Sequence, residues 1–217
     1  MNITSPFFAA LLANGPVKAG GYTYFLYGGK IRKCKSQRGP RKSKTEREKQ
    51  ITDHFTEVRK IWKVYRLAIG VLPIWRVAAR ERGVSKSDSL FHSINGGCLQ
   101  AKQGVWAFKT FRFSVGSLEA PVITNAERHD WTITLQWENG IEGPKAKASD
   151  QVFVGYFYDT LRDAPLLISN SMAHRGDGKV TIEIPKAYQP EGTRLHLYLF
   201  FGNEELNQFS PSEYVEL

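Results

Sequence analysis

The sequence has 217 residues, of which 41% are hydrophobic and 12% are aromatic, so it can bury a core and is not the sequence of a disordered chain. Its formal net charge of +9 is divided unevenly along the chain. Residues 1–115 contain 22 Lys and Arg against 6 Asp and Glu, whereas residues 116–217 contain 8 against 15. This asymmetry predicts two parts with different surfaces, the first suited to nucleic acid, an anionic surface or an acidic protein.

The N-terminus carries an apolar run at residues 7–13. The run is too short to span a membrane and no basic residue precedes it, so it predicts neither a transmembrane helix nor a signal peptide. Ser5 as a cap, Pro6 as a first helical residue and Asn14-Gly15 as a stop predict one or two helical turns. We therefore expect the protein in the cytoplasm or in a virion, and not among secreted proteins.

A hairpin is predicted next, because two β-type runs at residues 22–27 and 30–35 flank Gly28-Gly29. The second run has no apolar face, which is typical of an edge strand or an arm on which lysines discourage unwanted pairing.

A basic stretch begins within this hairpin, since residues 30–49 contain ten cations and two acids. For residues 36–44, interrupted by Gly39-Pro40, a solvated connector and a phosphate-contacting arm both remain open. The candidate residues for binding nucleic acid or an acidic partner are Lys30, Arg32, Lys33, Lys35, Arg38, Arg41, Lys42, Lys44, Arg47 and Lys49.

A long helix follows, for which Thr45 and Glu48 form a capping-box pattern. Apolar residues recur at spacings of three and four up to a stop at Gly70. The predicted apolar stripe consists of Ile51, Phe55, Val58, Trp62, Tyr65 and Ile69. Shorter helices are predicted at residues 71–82 and from Ser85 to Gly96-Gly97. The helix at 71–82 lacks a polar face for reading bases, so the pattern does not favour a sequence-specific helix-turn-helix.

Strand patterns dominate the remainder. Alternation in residues 105–115 predicts a strand whose Phe111, Phe113 and Val115 face a core. Seven short runs with regular turn signals then predict a β-sandwich. They lie near Val122 and at residues 131–137, 151–158, 165–169, 179–184, 193–201 and 208–217. The predicted fold class is α+β, with an N-terminal β-hairpin arm and helical unit followed by a seven-stranded immunoglobulin/fibronectin type III-like β-sandwich. The predicted domains are 1–44, 45–115 and 116–217.

Two resemblances add to this prediction. The strand around Trp137, the Gly155-Tyr156 strand and residues 188–198 resemble passages of a fibronectin type III-like sandwich. The whole chain is also similar to an uncharacterised bacterial domain-of-unknown-function family, through its glycine-rich hairpin (20–35), its helix start (45–50) and its phenylalanine strand with a Ser-x-Gly-Ser-Leu-like turn (111–118). The second resemblance implies an organisation and assigns no activity. Related layouts of an arm and a sandwich occur in phage structural proteins, as an analogy.

The sequence contains few patterns that are typical of metal binding or catalysis. None of the five histidines has a second metal ligand at i+2 or i+4, and the motifs of hydrolases and metalloproteases are absent. We therefore expect no enzyme, cofactor, metal site or small-molecule substrate. Cys34 and Cys98 favour two free thiols over one disulfide.

Three hypotheses remain. The first is a non-enzymatic structural or assembly protein, such as a phage virion component, whose N-terminal arm pairs with another chain or a further copy of itself. The second is a sequence-tolerant nucleic-acid-binding module. The third is a recognition domain for a carbohydrate or protein that uses Trp131 and Trp137, although a core role for both is favoured.

Overall fold

A computed structural model describes residues 6–36, 43–168, 172–185 and 192–217, and for residues 6–9 it describes the backbone. The chain divides into two compact units, Met1–Thr45 and Glu46–Leu217. It combines helices with antiparallel sheets, as predicted. The further division predicted near residue 115 remains a prediction.

The N-terminal unit contains helix α1 (Pro6–Ala13) and the strands β1 (Val17–Ala19), β2 (Tyr22–Tyr27) and β3 (Lys30–Lys35) in the order β1-β2-β3. The predicted hairpin is confirmed, because β2 and β3 pair antiparallel from Tyr22↔Lys35 to Tyr27↔Lys30. Gly28 and Gly29 turn the chain at φ values of 58° and 71°, which glycine adopts without steric cost. The sequence patterns did not predict β1.

Three helices open the second unit: α2 (Glu46–Ala68), α3 (Ile74–Glu81) and α4 (Ser87–Asn95). All three lie where they were predicted, and Val58, Tyr65 and Ile69 of the predicted stripe are buried. The N-terminal end of the stripe does not face a core as predicted, since Ile51 is 60% exposed and Phe55 is 47% exposed. The reason is length: at about 1.5 Å per residue, α3 and α4 are less than half as long as α2 and cannot cover it all.

The prediction of a strand at residues 105–115 is also wrong. A short pair of strands, β4 (Leu99–Gln100) and β5 (Gly104–Val105), is followed by a 3-10 turn at Phe108–Thr110 and an extended segment outside any sheet. Phe111, Phe113 and Val115 are nevertheless buried, as the alternation predicted. Two amides of this segment bond to side chains: the Phe113 amide donates to Oγ of Ser212 (3.0 Å), and the Arg112 amide donates to Oδ1 of Asn95 (2.8 Å). The Ser114 carbonyl in turn accepts the Ser212 amide (3.0 Å).

All seven strands predicted after residue 116 are present. They are β6 (Val122–His129), β7 (Thr132–Glu138), β8 (Gln151–Tyr158), β9 (Leu166–Ile168), β10 (Lys179–Glu183), β11 (Leu195–Gly202) and β12 (Glu213–Glu216). They form a three-stranded sheet, β10-β7-β6, and a four-stranded sheet, β12-β11-β8-β9, in which every pairing is antiparallel.

The four-stranded sheet is buried on both faces in its two central strands, which explains why β8 and β11 read as continuous apolar runs. Val152 and Val154 of β8 join a core with Ile133 and Leu135 of the three-stranded sheet. The alternate residues of β8, such as Phe153 and Phe157, join a second core. That second core also contains the buried side chains of α2, α3, α4 and the extended segment, so the helices form a layer on the sheet.

Candidate functional site

The predicted basic residues of the hairpin all lie on β3, which is the edge strand of its sheet and is exposed along its whole length. Lys33 and Lys35 pair with Tyr24 and Tyr22, so they share the face that packs against Leu12. The ammonium of Lys33 lies 5.1 Å from the centre of the Tyr22 ring. The hairpin cations are therefore divided between two faces.

The opposite face of the hairpin carries Lys30 and Arg32, which pair with Tyr27 and Phe25. Tyr27 is 73% exposed. This face therefore combines exposed cations with aromatic rings, the combination that binds phosphates and stacks on bases.

The other predicted cations lie outside the hairpin in the sequence. Lys44 precedes α2, and Arg47 and Lys49 are exposed in its first turn, where Lys49 lies 3.5 Å from Glu46. Arg38, Arg41 and Lys42 lie outside the residues that the structure describes. The ten predicted cations are thus divided between the two units. Four of them, Lys30, Arg32, Lys33 and Lys35, lie together on one strand.

A second basic surface, not predicted as a site, lies between α2 and α4. The residues of α2 that line it are Phe55, Thr56, Val58, Arg59, Lys60, Trp62, Lys63, Arg66 and Leu67, and those of α4 are Asp88, Ser89 and His92. We call it the helical groove, and its volume is about 1130 Å³. Its cations recur at spacings of three and four because one face of α2 supplies them.

The cations of the groove differ in their pairing. Lys60 donates to Oδ2 of Asp163 at 2.7 Å, and this hydrogen bond and the Asp163 charge raise the pKa of Lys60. Within the part of the chain that the structure describes, Arg59, Lys63 and Arg66 lie within ion-pairing distance of no acidic group. These three cations leave the groove with a surplus of positive charge.

Aromatic rings line the same groove. Trp62 is partly buried and stacks on Tyr65, with ring centroids 5.9 Å apart and planes inclined by 14°. The ring of Phe55 lies 5.0 Å from that of His92 and 5.8 Å from the guanidinium carbon of Arg59. Half of the Phe55 side chain nonetheless remains exposed, so the groove is apolar as well as basic.

A third cluster surrounds the buried His196 of β11. Its ring stacks on Phe108 with centroids 3.6 Å apart, Nδ1 lies 2.9 Å from the Tyr214 hydroxyl, and Nε2 lies 3.5 Å from Oδ1 of Asp159. Arg194 in turn bonds to Glu216 at 2.9 Å. Burial, above all, raises the pKa of the Tyr214 hydroxyl above its ordinary value of 10, so the hydroxyl next to His196 stays protonated at neutral pH. The cluster is a network of compensated charges.

Of the two tryptophans proposed for recognition, Trp137 lies in the core and Trp131 is partly buried against it. The indole of Trp137 is buried and donates to the carbonyl of Arg175 at 2.9 Å, and Trp131 packs against the same core. Among the described residues, no three His, Cys, Asp or Glu side chains are grouped so that they could hold a metal ion. In the same part of the chain, every helix is too short or too polar to cross a bilayer.

No protein-family model matches the chain, and no curated protein matches its sequence. Both results are consistent with the resemblance to an uncharacterised domain of unknown function. The FN1-FN3 domains of chicken CNTN1 are similar to 48% of this chain over 32% of their own length, with 14% identity and a TM-score of 0.32. The Clostridium perfringens spore cortex lytic enzyme SleM is similar to 46% of this chain over 27% of its own length, with 18% identity and a TM-score of 0.30. The chain thus spans less than a third of either structure.

Proposed function

We propose that this protein is a non-enzymatic structural or assembly protein whose N-terminal unit pairs with another chain, in the first instance a further copy of itself. The observation that carries the proposal is the exposed edge strand β3, attached to a unit with a very small core. In the described part of that unit, Leu12 and Tyr24 are the buried hydrophobic residues. A unit of this size rarely buries enough apolar surface to be stable without a partner.

The edge strand offers a mode of pairing. An edge strand presents unpaired backbone groups, to which a strand of another chain can add. The face of the hairpin that carries Tyr24 continues beyond the small core as Leu26 and Ile31, which pair with each other and are 47% and 38% exposed. These two residues would supply the apolar contact, and the cations of β3 would select an acidic partner surface.

The proposal extends to the second unit. Its seven strands, in antiparallel sheets of three and four that share a core, support an immunoglobulin/fibronectin type III-like β-sandwich. We propose that this sandwich faces outward in an assembly, in the cytoplasm or in a virion, as in a phage structural component.

The test is the oligomeric state of the full chain by sedimentation over a concentration range of about 5 to 500 µM, since association follows mass action. We expect the wild-type chain to associate and the double variant Leu26→Lys/Ile31→Lys to dissociate. The matched control is Ile141→Lys, which changes an apolar residue that is 93% exposed in the other unit. A wild-type chain that stays monomeric throughout, or a double variant that associates like the control, contradicts the proposal.

A second candidate function is nucleic-acid binding through the face of β3 that carries Lys30 and Arg32 beside Phe25 and Tyr27. Each cation that neutralises a phosphate steepens the salt dependence of affinity. Replacing both cations with glutamine should therefore flatten the plot of log K against log salt for an oligonucleotide. An unchanged slope contradicts this candidate.

A further inference from the structure

We propose that the helical groove, together with the two depressions that adjoin it, is a binding site for single-stranded nucleic acid. The site lies on the α2–α4 face of the second unit. It does not depend on the assembly role of the hairpin or on the cations of β3.

The first argument is unneutralised charge along a continuous surface. Both adjoining depressions share Trp62 and Arg66 with the helical groove. The first is also lined by the cations Arg76, Arg80 and Lys86, and the second is also lined by Arg76. Among the described residues, none of these added cations has an acidic group within ion-pairing distance. Among the described residues that line this surface, six cations have no acidic partner: Arg59, Lys63, Arg66, Arg76, Arg80 and Lys86.

One acidic residue, Asp88, lines the helical groove and the first of the two depressions. Asp88 stands in the first turn of α4, and its Oδ1 accepts the Ser89 amide at 2.9 Å. Asp88 therefore offsets one of these positive charges at most, and the surface remains positive. Four of the six unpaired cations are arginines, whose planar guanidinium groups match phosphate oxygens with two hydrogen bonds.

The second argument is the aromatic lining. Phe55 is 47% exposed and Trp62 is partly exposed, and both lie among the cations of the groove. Leu67, which is 75% exposed, extends the apolar surface. Contiguous exposed apolar surface marks interaction sites, and rings set among cations are the arrangement on which unpaired bases stack.

Single strands fit this combination better than the other polyanions. A duplex presents phosphates but keeps its base faces stacked inside, so Phe55 and Trp62 would have nothing to stack on. An acidic peptide would satisfy the cations, including the arginines, because carboxylates also accept two hydrogen bonds from a guanidinium, but it would offer the rings no planar base to stack on. The cations of α2 from Arg59 to Arg66 span about 10 Å along the helix axis, a linear track suited to an extended backbone.

The experiment is fluorescence anisotropy with the full chain and a labelled oligo(dT) of about 20 nucleotides, enough for more than one stacking site. Affinity is measured across a salt series and compared with a duplex of equal length and with a polyglutamate peptide. We expect the single strand to bind more tightly than both. The triple variant Arg59→Gln/Lys63→Gln/Arg66→Gln should reduce the salt slope by about 2, since each phosphate neutralised on a single strand contributes about 0.7.

The stacking argument is tested with Phe55→Ala and Phe55→Leu, of which the leucine variant preserves apolar packing against His92. Both should weaken oligo(dT) binding by about 5- to 150-fold at one salt concentration, the range expected for the loss of one stacked base, and leave the salt slope unchanged.

The charge-matched control is Lys145→Gln/Lys147→Gln/Lys179→Gln, three exposed lysines outside the groove. Circular dichroism verifies that each variant is folded. If the groove triple variant binds like this control, or if Phe55→Leu binds like the wild type, the assignment is wrong. Polyglutamate or duplex binding as tight as oligo(dT) binding would also overturn it. The variant Leu26→Ser/Ile31→Ser, which changes no charge, should dissociate as the lysine variant does and still bind oligo(dT) normally, which separates this site from the assembly role.

Discussion

The guanidinium of Arg175 and the carboxylate of Asp150 form an ion pair that is closed off from solvent, with 3.0 Å between Nε and Oδ2. Arg175 is 6% exposed and Asp150 is 1% exposed. The guanidinium also donates to the carbonyl of Glu119 at 3.0 Å and lies 4.0 Å from the centre of the Phe201 ring. Asp150 accepts the Lys147 amide at 3.0 Å. The pair therefore joins three loops to β11.

We predict that Arg175→Met destabilises the fold by about 3–5 kcal/mol, because it leaves the Asp150 charge buried without its partner. Chemical denaturation measures this change. The double variant Arg175→Met/Asp150→Asn should cost less than the sum of the two single variants, since both remove the same interaction.

The matched control for this pair is Lys60→Met, which breaks a pair of similar length whose side chains are 55% and 42% exposed. Solvent screens such a pair, so the expected cost is at most about 1 kcal/mol. Equal costs for Arg175→Met and Lys60→Met would show that burial of the Arg175 pair has no energetic consequence.

The second prediction concerns pH. Burial lowers the pKa of His196 below its ordinary value of 6.5, and the nearby Asp159 and Glu216 offset this only in part. The unfolded chain therefore binds a proton as the pH falls through 6.5, while the folded chain does not yet do so. Stability contributed by the neutral histidine is thus present above pH 6.5 and is lost as the pH falls below it.

Chemical denaturation at pH 7.5 and pH 5.5 tests the direction of this change in stability. We expect the wild type to lose stability between the two values and His196→Gln to lose less. The control His129→Gln, whose ring is 83% exposed, should behave like the wild type. The carboxyl of Asp159 does not interfere: burial raises its pKa, but the charge of Arg162, the hydrogen bond from His196 and the charge of Arg194 lower it overall, below 3.8. An NMR titration that places His196 above 6.5 would reverse the prediction.

The third prediction concerns the close approach of the extended segment to the four-stranded sheet. A Cβ built on Gly155 of β8 would lie 2.5 Å from three ring carbons of Phe113. That ring is fully buried and contacts Tyr65, Tyr198 and Phe200, so it cannot move aside. Gly155→Ala should therefore destabilise the fold by about 1–3 kcal/mol, as overpacking does.

Thermal unfolding measures the effect of Gly155→Ala. The control is Gly97→Ala, because a Cβ at Gly97 would meet no atom within 4 Å. If Gly155→Ala unfolds at the wild-type temperature, the sheet and the segment are packed less closely than the structure shows.

Local signals were enough to predict most elements. Gly28-Gly29 predicted the hairpin, and the periodicity after Thr45 predicted α2, because turn conformation and helical spacing are properties of adjacent residues. The periodicity of Ile51 and Phe55 could not show that both are exposed, since it identifies an apolar face but not the length of the elements that cover it. Likewise, the alternation at Phe111 and Phe113 correctly predicted that both side chains are buried. It could not show that the segment has no neighbouring strand with which to form a sheet.

The helical groove, too, could be predicted only in part from the sequence. The basic flank of α2 is visible in the sequence, but the groove requires α4, and Ser89 is thirty residues from Arg59. Whether Arg59, Lys63 and Arg66 are neutralised depends on acidic residues brought near by the fold, of which Asp163 near Lys60 is an example. Charge runs in a sequence therefore predict candidate surfaces, and the structure decides which of their charges remain unpaired.

The last prediction concerns the two cysteines, which are both free, as the sequence favoured. Cys34 is exposed on β3, whereas Cys98 is buried and its thiol donates to the carbonyl of Asn95 at 3.0 Å. Burial raises the pKa of Cys98 to about 12, so it holds almost no thiolate at pH 8. Because the thiolate is the nucleophile, iodoacetamide should modify one site in the native chain and two in denaturant. Peptide mapping should identify Cys34 as the native site, and the variant Cys34→Ser should not be modified until it unfolds. Rapid native modification of Cys98 would show that the helical layer opens on the timescale of labelling.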